Sequence, residues 1–335
     1  MAINQAVKPG TDLKNTAISL LLICCLVSIS VLAAGNDDWR QPPGQLYDIG
    51  GYRLHMLCEG QGKPAVIMDA GIGGFSLEWI PVQRLLRTET YRVCVYDRAG
   101  YGWSDPGPSP RTTDQIVEEL HTLLNTAGVN PPYILVGHSF GGYNMQYFAK
   151  AYPQEVGGLV LVDSSHPEQV DRLPEIPSTR ERSSTGQMIT LFAGQSTFKY
   201  YPQDVRNSLL RLVSLRKTFI TQRRESVNMA ISGEQVVRAG HLPDIPLLVI
   251  TRGIRVWPED PYGDMLETTW MKMQKELASM TPHGRQIIAA KSNHLIHLLQ
   301  PDLVANAIRS IVDEYESSLT TVVVDTSSCQ PVTLC

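Results

Sequence analysis

The sequence predicts an α/β protein: a mostly parallel, eight-stranded type of sheet with helices on both faces and an inserted helical lid. Three observations predict it. Short apolar runs alternate with helical stretches from Tyr52 to Tyr315, the order expected when parallel strands are joined by crossover helices. Runs such as Tyr133-Ile134-Leu135-Val136 and Pro246-Leu247-Leu248-Val249-Ile250 are apolar along their length, as strands covered on both faces are. The alternation also stops between about Pro167 and Leu242, a stretch rich in Arg, Ser and Gln with helical patches and no strong strand. That stretch reads as a lid of about residues 167–242, inserted between two strands.

The elements follow in order. Tyr52 to Cys58 and Ala65 to Asp69 read as strands, and Leu77 to Arg87 as a helix. Arg92 to Tyr96 is the next strand. A helix from Thr113 to Ala127 places Ile116, Leu120, Leu123 and Leu124 on one face and opens with a capping box at Thr112 and Gln115. After the strand at Tyr133 to Val136, Tyr143 to Tyr152 reads as a helix and Leu159 to Val162 as a strand. Beyond the lid come the strand at Pro246 to Ile250, a helix around Thr268 to Ser279, a strand at Gln286 to Ala290 and a last helix after Pro301. From Ser317 the tail reads as loosely ordered. The expected division is an N-terminal appendage over 1–40, a catalytic domain over 41–316 and a tail over 317–335.

At 335 residues, 43% hydrophobic and 19% charged, the chain has the composition to bury a substantial core. A net charge of −4 gives no case for nucleic acid as a partner, which would call for a basic stripe. The appendage is apolar: no charged residue falls between Asn15 and Asn36, with Lys8 and Lys14 before the run and Asp37, Asp38 and Arg40 after it. This is the border between a cleaved signal peptide and a spanning signal anchor. The expectation is a membrane-anchored protein with its catalytic domain on the non-cytoplasmic side, or, if the signal is cleaved, a secreted or periplasmic one. Cys58 and Cys94 read as small buried thiols on core strands, and Cys329 and Cys335 as a possible disulfide loop at the chain end. No His-Glu-x-x-His or Cys-x-x-Cys spacing suggests a metal site.

The chemistry concentrates at Gly137-His138-Ser139-Phe140-Gly141-Gly142, between a strand and a helix. A serine on such a turn is lifted above the sheet edge, and the helix start behind it favours negative charge. A Cβ at Gly137 or Gly141 would collide with the neighbouring strand or helix. Three other segments accompany it: Asp69-Ala70-Gly71-Ile72-Gly73-Gly74, Tyr96-Asp97-Arg98-Ala99-Gly100-Tyr101-Gly102-Trp103-Ser104, and Ser292-Asn293-His294 before the last helix. Together and in this order they resemble the nucleophile elbow, oxyanion loop, Asp-Arg-x-Gly-x-Gly-x-Ser loop and catalytic-histidine loop of the α/β-hydrolase superfamily. Ala70 stands where many relatives have His. The resemblance runs from about Gly44 to Tyr315.

It implies a serine hydrolase, esterase-like or lipase-like, that needs no cofactor. The substrate would be a small acyl compound joined through an ester, thioester or amide bond. Ser139 is the expected nucleophile and His294 the base, with His297 as its rival. The backbone N–H groups of Ile72 and Phe140 are the expected oxyanion donors. Asp163, at the end of the strand after the elbow helix, is the expected acid, with Asp260, Glu259 and Asp264 as alternatives after the seventh strand. Acyl transfer by the same residues, or a non-catalytic binder on the same scaffold, are the competing readings.

Overall fold

The computed structural model describes residues 39–87, 90–173 and 195–324. Eight strands form one sheet: β1 Gln45–Asp48, β2 Arg53–Glu59, β3 Ala65–Asp69, β4 Arg92–Tyr96, β5 Tyr133–His138, β6 Val156–Val162, β7 Leu247–Arg252 and β8 Gly284–Ala289. Their spatial order is β1-β2-β4-β3-β5-β6-β7-β8. The pairs β1/β2 and β2/β4 are antiparallel, and from β4 to β8 every pair is parallel. Among the described residues the helices are α1 Ile80–Leu85, α2 Thr113–Thr126, α3 Phe140–Ala151, α4 Gln169–Arg172, α5 Gln195–Phe198, α6 Arg206–Val213, α7 Arg216–Val227, α8 Met229–Arg238, α9 Pro261–Ala278, α10 Ile296–Leu299 and α11 Pro301–Val324.

The period-2 geometry of a strand sends neighbouring side chains to opposite faces, and two cores result. Ala65, Ile67, Leu135 and Leu161 pack with Leu120 and Leu123 of α2, Met145 and Phe148 of α3 and Leu277 of α9. Val66, Met68, Val136 and Val160 pack on the other side with Val82 of α1 and Val304, Ile308 and Ile311 of α11. Both faces being covered explains why the central strands read as unbroken apolar runs. β3 lies between β4 and β5, so the crossovers leaving β3 and β5 diverge. A crevice at the carboxyl ends of the strands opens at such a reversal, and ligands bind there in open α/β sheets.

Several sequence expectations need correction. Cys58 and Cys94 are not free thiols: they face each other across the antiparallel β2/β4 pair and form a disulfide. The capping box at Thr112 and Gln115 does not form. The Thr112 hydroxyl donates instead to Asp114 Oδ1 at 2.5 Å, and the first amides of α2 find partners on α8: Thr113 N donates to Ser232 Oγ at 3.2 Å and Asp114 N to Gln235 Oε1 at 3.1 Å. The helix before β7's partner begins at Pro261 rather than near Thr268, because Asp260 caps it by accepting from Gly263 N at 2.8 Å. The helix α11 continues through Ser317 to Val324, where a loose tail was expected.

The membrane expectation is also corrected. Among the described residues no helix is long and apolar enough to cross a membrane. The run from Asn15 to Asn36, on which that expectation rested, lies outside the described residues. The anchor, the membrane as a partner and the location inferred from them therefore have no support in the structure. The proposed Cys329–Cys335 loop likewise lies outside the described residues.

Candidate active site

Four of the five residues expected in the site lie at or just beyond the carboxyl ends of β3, β5 and β6, and His294 follows β8. Ser139 connects β5 to α3 with φ 51° and ψ −122°, a conformation that costs an L-residue on the order of 1–3 kcal/mol and persists only where the surroundings enforce it. The glycines around it enforce it by closeness. A Cβ on Gly137 would lie 2.6 Å from the Gly141 carbonyl oxygen, and one on Gly141 would lie 2.5 Å from that of Asp69. Larger residues would push β5, α3 and the end of β3 apart. The turn is fixed further by Ser165 N donating to the Ser139 carbonyl at 2.9 Å.

Asp163 directly follows β6 and is, among the described residues, the second non-glycine residue with a left-handed backbone, at φ 39°. Its carboxylate is buried and receives four donors. His294 Nδ1 lies 2.6 Å from Oδ2, and Arg252 Nη1 donates to Oδ2 at 2.9 Å. Trp270 Nε1 donates to Oδ1 at 3.0 Å and the Arg252 backbone N–H at 3.3 Å. Four donors fill the lone-pair directions of a carboxylate. Burial pushes the carboxyl's pKa up, but the Arg252 guanidinium, the His294 hydrogen bond and charge, and Trp270 outweigh it and hold the value at about 2. Arg252 in turn places Nη2 3.2 Å from both oxygens of Glu267, so its charge is shared between two acids.

The loop carrying His294 is pinned on both sides. Ser292 accepts from Gly253 N at 3.2 Å and Ile254 N at 2.9 Å through its carbonyl, and its hydroxyl donates to Gln300 Oε1 at 2.9 Å. The Asn293 side chain accepts from Leu295 N at 3.0 Å. His138, the residue before the serine, donates Nε2–H to the His294 carbonyl at 2.9 Å. Burial, and then the neighbouring His297 and His294, hold the His138 pKa well below the usual imidazole value. It is therefore neutral, with the proton on Nε2 for that bond and a lone pair on Nδ1. His138 thus joins the elbow to the histidine loop.

His297 sits elsewhere. It is fully buried, its ring tilted by 32° against that of Trp79 with centroids 4.7 Å apart, and its Nε2 lies 3.6 Å from Glu78 Oε2. The carboxylate that meets a histidine at the strand ends meets His294. The other acids considered are occupied away from it: Asp260 caps α9, Asp264 pairs with Arg255 at 2.5 Å, and Glu259 is exposed.

On the other side of the serine, the turn from Gly71 to Gly74 closes with Gly74 N donating to the Gly71 carbonyl at 3.1 Å. A Cβ on Gly71 would lie 3.1 Å from Ser139 Cβ, so this turn abuts the elbow. Phe140 is the first residue of α3, where the helix has no internal acceptor for its N–H. Ile72 and Phe140 are both buried. The arrangement holds one side-chain hydroxyl, one imidazole oriented by a carboxylate, and backbone donors at a glycine turn and a helix start. That set suits transfer of an acyl group through a serine.

Sequence reasoning missed Arg252 and Trp270, which hold Asp163, and it named Arg98 as part of a motif without its bonds to the glycine turn. It also missed a buried trio. Among the described residues, Glu78, His138 and His297 could hold a metal ion, with one ligand atom from each within 4.8 Å of the others. Glu78 Oε2, His138 Nδ1 and both ring nitrogens of His297 have no hydrogen-bond partner. No spacing signalled it because the three residues come from three separate segments.

Residues 64–238 match the family described as alpha/beta hydrolase fold. The uncharacterised protein YqjL of Bacillus subtilis (strain 168) is 28% identical over 266 residues, which is 79% of this chain and 90% of that protein. A putative lipase from Acinetobacter baumannii superposes with a TM-score of 0.63 at 17% identity, covering 86% of this chain and 97% of its own. The enol-lactonase of Burkholderia xenovorans LB400 superposes with a TM-score of 0.60 at 17% identity, covering 80% and 100%. At such identities the structural likeness concerns the fold.

Proposed function

The chain belongs to the alpha/beta hydrolase fold family, and from that premise we propose that it is a serine hydrolase acting on an ester, thioester or amide of a small acyl compound. The observation that carries this reading is the 2.6 Å contact between His294 Nδ1 and the buried Asp163 carboxylate, beside a serine held at φ 51°. A carboxylate at Nδ1 fixes the imidazole tautomer whose Nε2 lone pair accepts a proton.

In the first half-reaction Ser139 Oγ attacks the acyl carbon and its proton passes to His294 Nε2. The carbonyl oxygen takes the negative charge and is met by the N–H groups of Ile72 and Phe140. Collapse breaks the bond to the leaving group, which takes the proton from His294, and leaves the acyl group on Ser139. Water then repeats the sequence: it gives its proton to His294, attacks the acyl carbon, and releases the acid and the free serine. Arg252 keeps Asp163 ionised throughout, so the imidazolium formed in each half has a permanent anion beside it. The described part of the insertion after residue 194, up to about residue 242, would act as the lid that shapes the acyl pocket.

The test is hydrolysis of acyl esters of graded chain length, with active sites counted by a fluorophosphonate probe. Wild-type protein should label once per chain and turn over at least one ester. His294→Ala should lose on the order of 10³-fold or more in turnover per folded chain, and His297→Gln should keep most of its rate. The reverse pattern would make His297 the base, and a wild type that neither labels nor hydrolyses would sink the serine-hydrolase reading.

A further inference from the structure

The hydrolase reading needs an N–H at Ile72 aimed at the developing oxyanion, and within the turn itself the hold on that peptide plane is the bond from Gly74 N to the Gly71 carbonyl at 3.1 Å. A second hold comes from outside the turn. In a trans peptide the carbonyl oxygen and the following N–H point in opposite directions. A group that captures the Gly71 carbonyl therefore sets the direction of the Ile72 N–H. Arg98 Nη2 donates to that carbonyl at 2.8 Å, and Nη1 donates to the Ala70 carbonyl and to Asp69 Oδ1, each at 2.6 Å.

The remaining bonds of Arg98 lead out of the hydrolase core. Its Nε donates to Glu225 Oε1 at 2.9 Å and its Nη2 to Glu225 Oε2 at 3.0 Å, a two-pronged pair. A guanidinium has five N–H donors, and these five bonds use the set. Glu225 belongs to α7, a helix of the inserted segment, 127 residues from Arg98 in sequence, yet it is fully buried. Its Oε2 also accepts from the Tyr101 hydroxyl at 2.7 Å, and the same hydroxyl accepts from Gly73 N at 3.1 Å. Glu225 thus reaches the turn on both sides of Ile72, through Arg98 to Gly71 and through Tyr101 to Gly73. The rest of α7 is seated to match. Thr221 Oγ1 occupies the place where a Cβ on Gly100 would be, and Gln222 lies 3.5 Å from that of Gly73.

We propose that Glu225 is a positioning residue for the oxyanion turn: by holding Arg98 and Tyr101 from the lid helix it fixes the Gly71–Ile72 peptide, so that the hole is complete only with the lid helix seated. This inference rests on the serine-hydrolase reading. It follows that substrates or products that displace α7 would also disassemble the hole. Removing α7 would leave Arg98 with Asp69 and the two carbonyls, and with two donors unspent in a buried site. The Gly71 carbonyl would still accept from Gly74 N. The turn would persist, with Arg98 anchored on one side only and the peptide plane held less firmly.

A full-length Glu225→Gln protein tests this. The carboxamide keeps the shape, but it turns an N–H₂ group toward either Arg98 or Tyr101 where an acceptor is needed. Removing one oxyanion donor outright lowers kcat by about 10²–10³-fold, so loosening one should lower kcat and the fluorophosphonate labelling rate by roughly 10–100-fold. KM should change little, and affinity for a trifluoromethyl ketone, whose adduct carries the oxyanion, should fall in step with kcat. A merely structural Glu225 would instead reduce the number of labelled sites and the melting temperature while leaving the rate per labelled site at the wild-type value, and that result would overturn the proposal. Tyr101→Phe removes only the hydroxyl that ties Glu225 to Gly73. It should show the same kcat-selective loss in smaller degree, and it carries the test if Glu225→Gln fails to fold; a Tyr101→Phe protein with wild-type kcat would then overturn it. Inert wild-type protein would fail the hydrolase reading first, and this inference with it.

Discussion

Ser139→Ala should abolish fluorophosphonate labelling and lower turnover by on the order of 10⁶-fold, the loss seen when a serine of this kind is removed from its set. Folding should be nearly untouched. The backbone bonds that hold position 139, from Ser139 N to the Val162 carbonyl at 3.3 Å and from Ser165 N to the Ser139 carbonyl at 2.9 Å, do not involve the hydroxyl. Alanine meets the same left-handed backbone as serine and carries no larger Cβ, so the strain at φ 51° is unchanged. A thermal melt should agree with wild type to within the spread of a surface substitution, about 0.5 kcal/mol. An alanine variant that still labels would remove Ser139 as the nucleophile, whatever its turnover.

The fold was legible because its physics is local or periodic. β3, β4, β5, β6 and β7 are buried on both faces, and their unbroken apolar runs announce that burial. β1 was not legible: four residues at the sheet edge, only its middle pair half-buried, carry no such run. The start of α9 had a signal that went unused, an Asp cap followed by Pro at the first helical position. The Cys58–Cys94 bridge needed the pairing of β2 with β4, a fact of topology that no spacing records.

The site divides in the same way. Ser139 is recognisable because its glycines are contiguous in sequence, and His294 because it follows the last strand. The residues that tune them are distant: Arg252 and Trp270 reach Asp163 across 89 and 107 positions. Arg252 ends β7, the strand after which an acid was sought, and it binds the Asp163 carboxylate just beyond β6 instead. Glu225 lies in a stretch whose sequence names no ligand, so only packing shows that it reaches the turn from Gly71 to Gly74 through Arg98 and Tyr101. The N-terminal apolar run illustrates the opposite error, a strong local pattern taken further than the described structure supports.

Asp163→Asn should lose about 10⁴-fold in turnover per labelled site, the effect of the same exchange in the Ser-His-Asp template, where the wrong imidazole tautomer is then held. The structure adds a second effect that the sequence did not suggest. Asp163 also faces the buried Arg252 guanidinium at 2.9 Å, and removing one partner of a buried pair costs about 3–5 kcal/mol. Glu267 remains beside Arg252 and should keep the cost toward the lower end. Stability should therefore fall as well, which is why turnover must be counted per labelled site. The pH dependence separates the two effects. A carboxyl held at about 2 in the folded protein, below its ordinary 3.8, stabilises the fold above pH 4 and loses that contribution as pH falls toward 2. In the asparagine variant this part of the acid sensitivity should be gone, so its stability should fall less steeply than that of wild type between pH 4 and 2. Asp260→Asn, which keeps a favoured cap residue at the start of α9, should cost little stability and leave turnover per site unchanged. Near-normal turnover in Asp163→Asn together with a large loss in Asp260→Asn would move the acid to the loop after β7 and leave Asp163 as the counter-ion of Arg252.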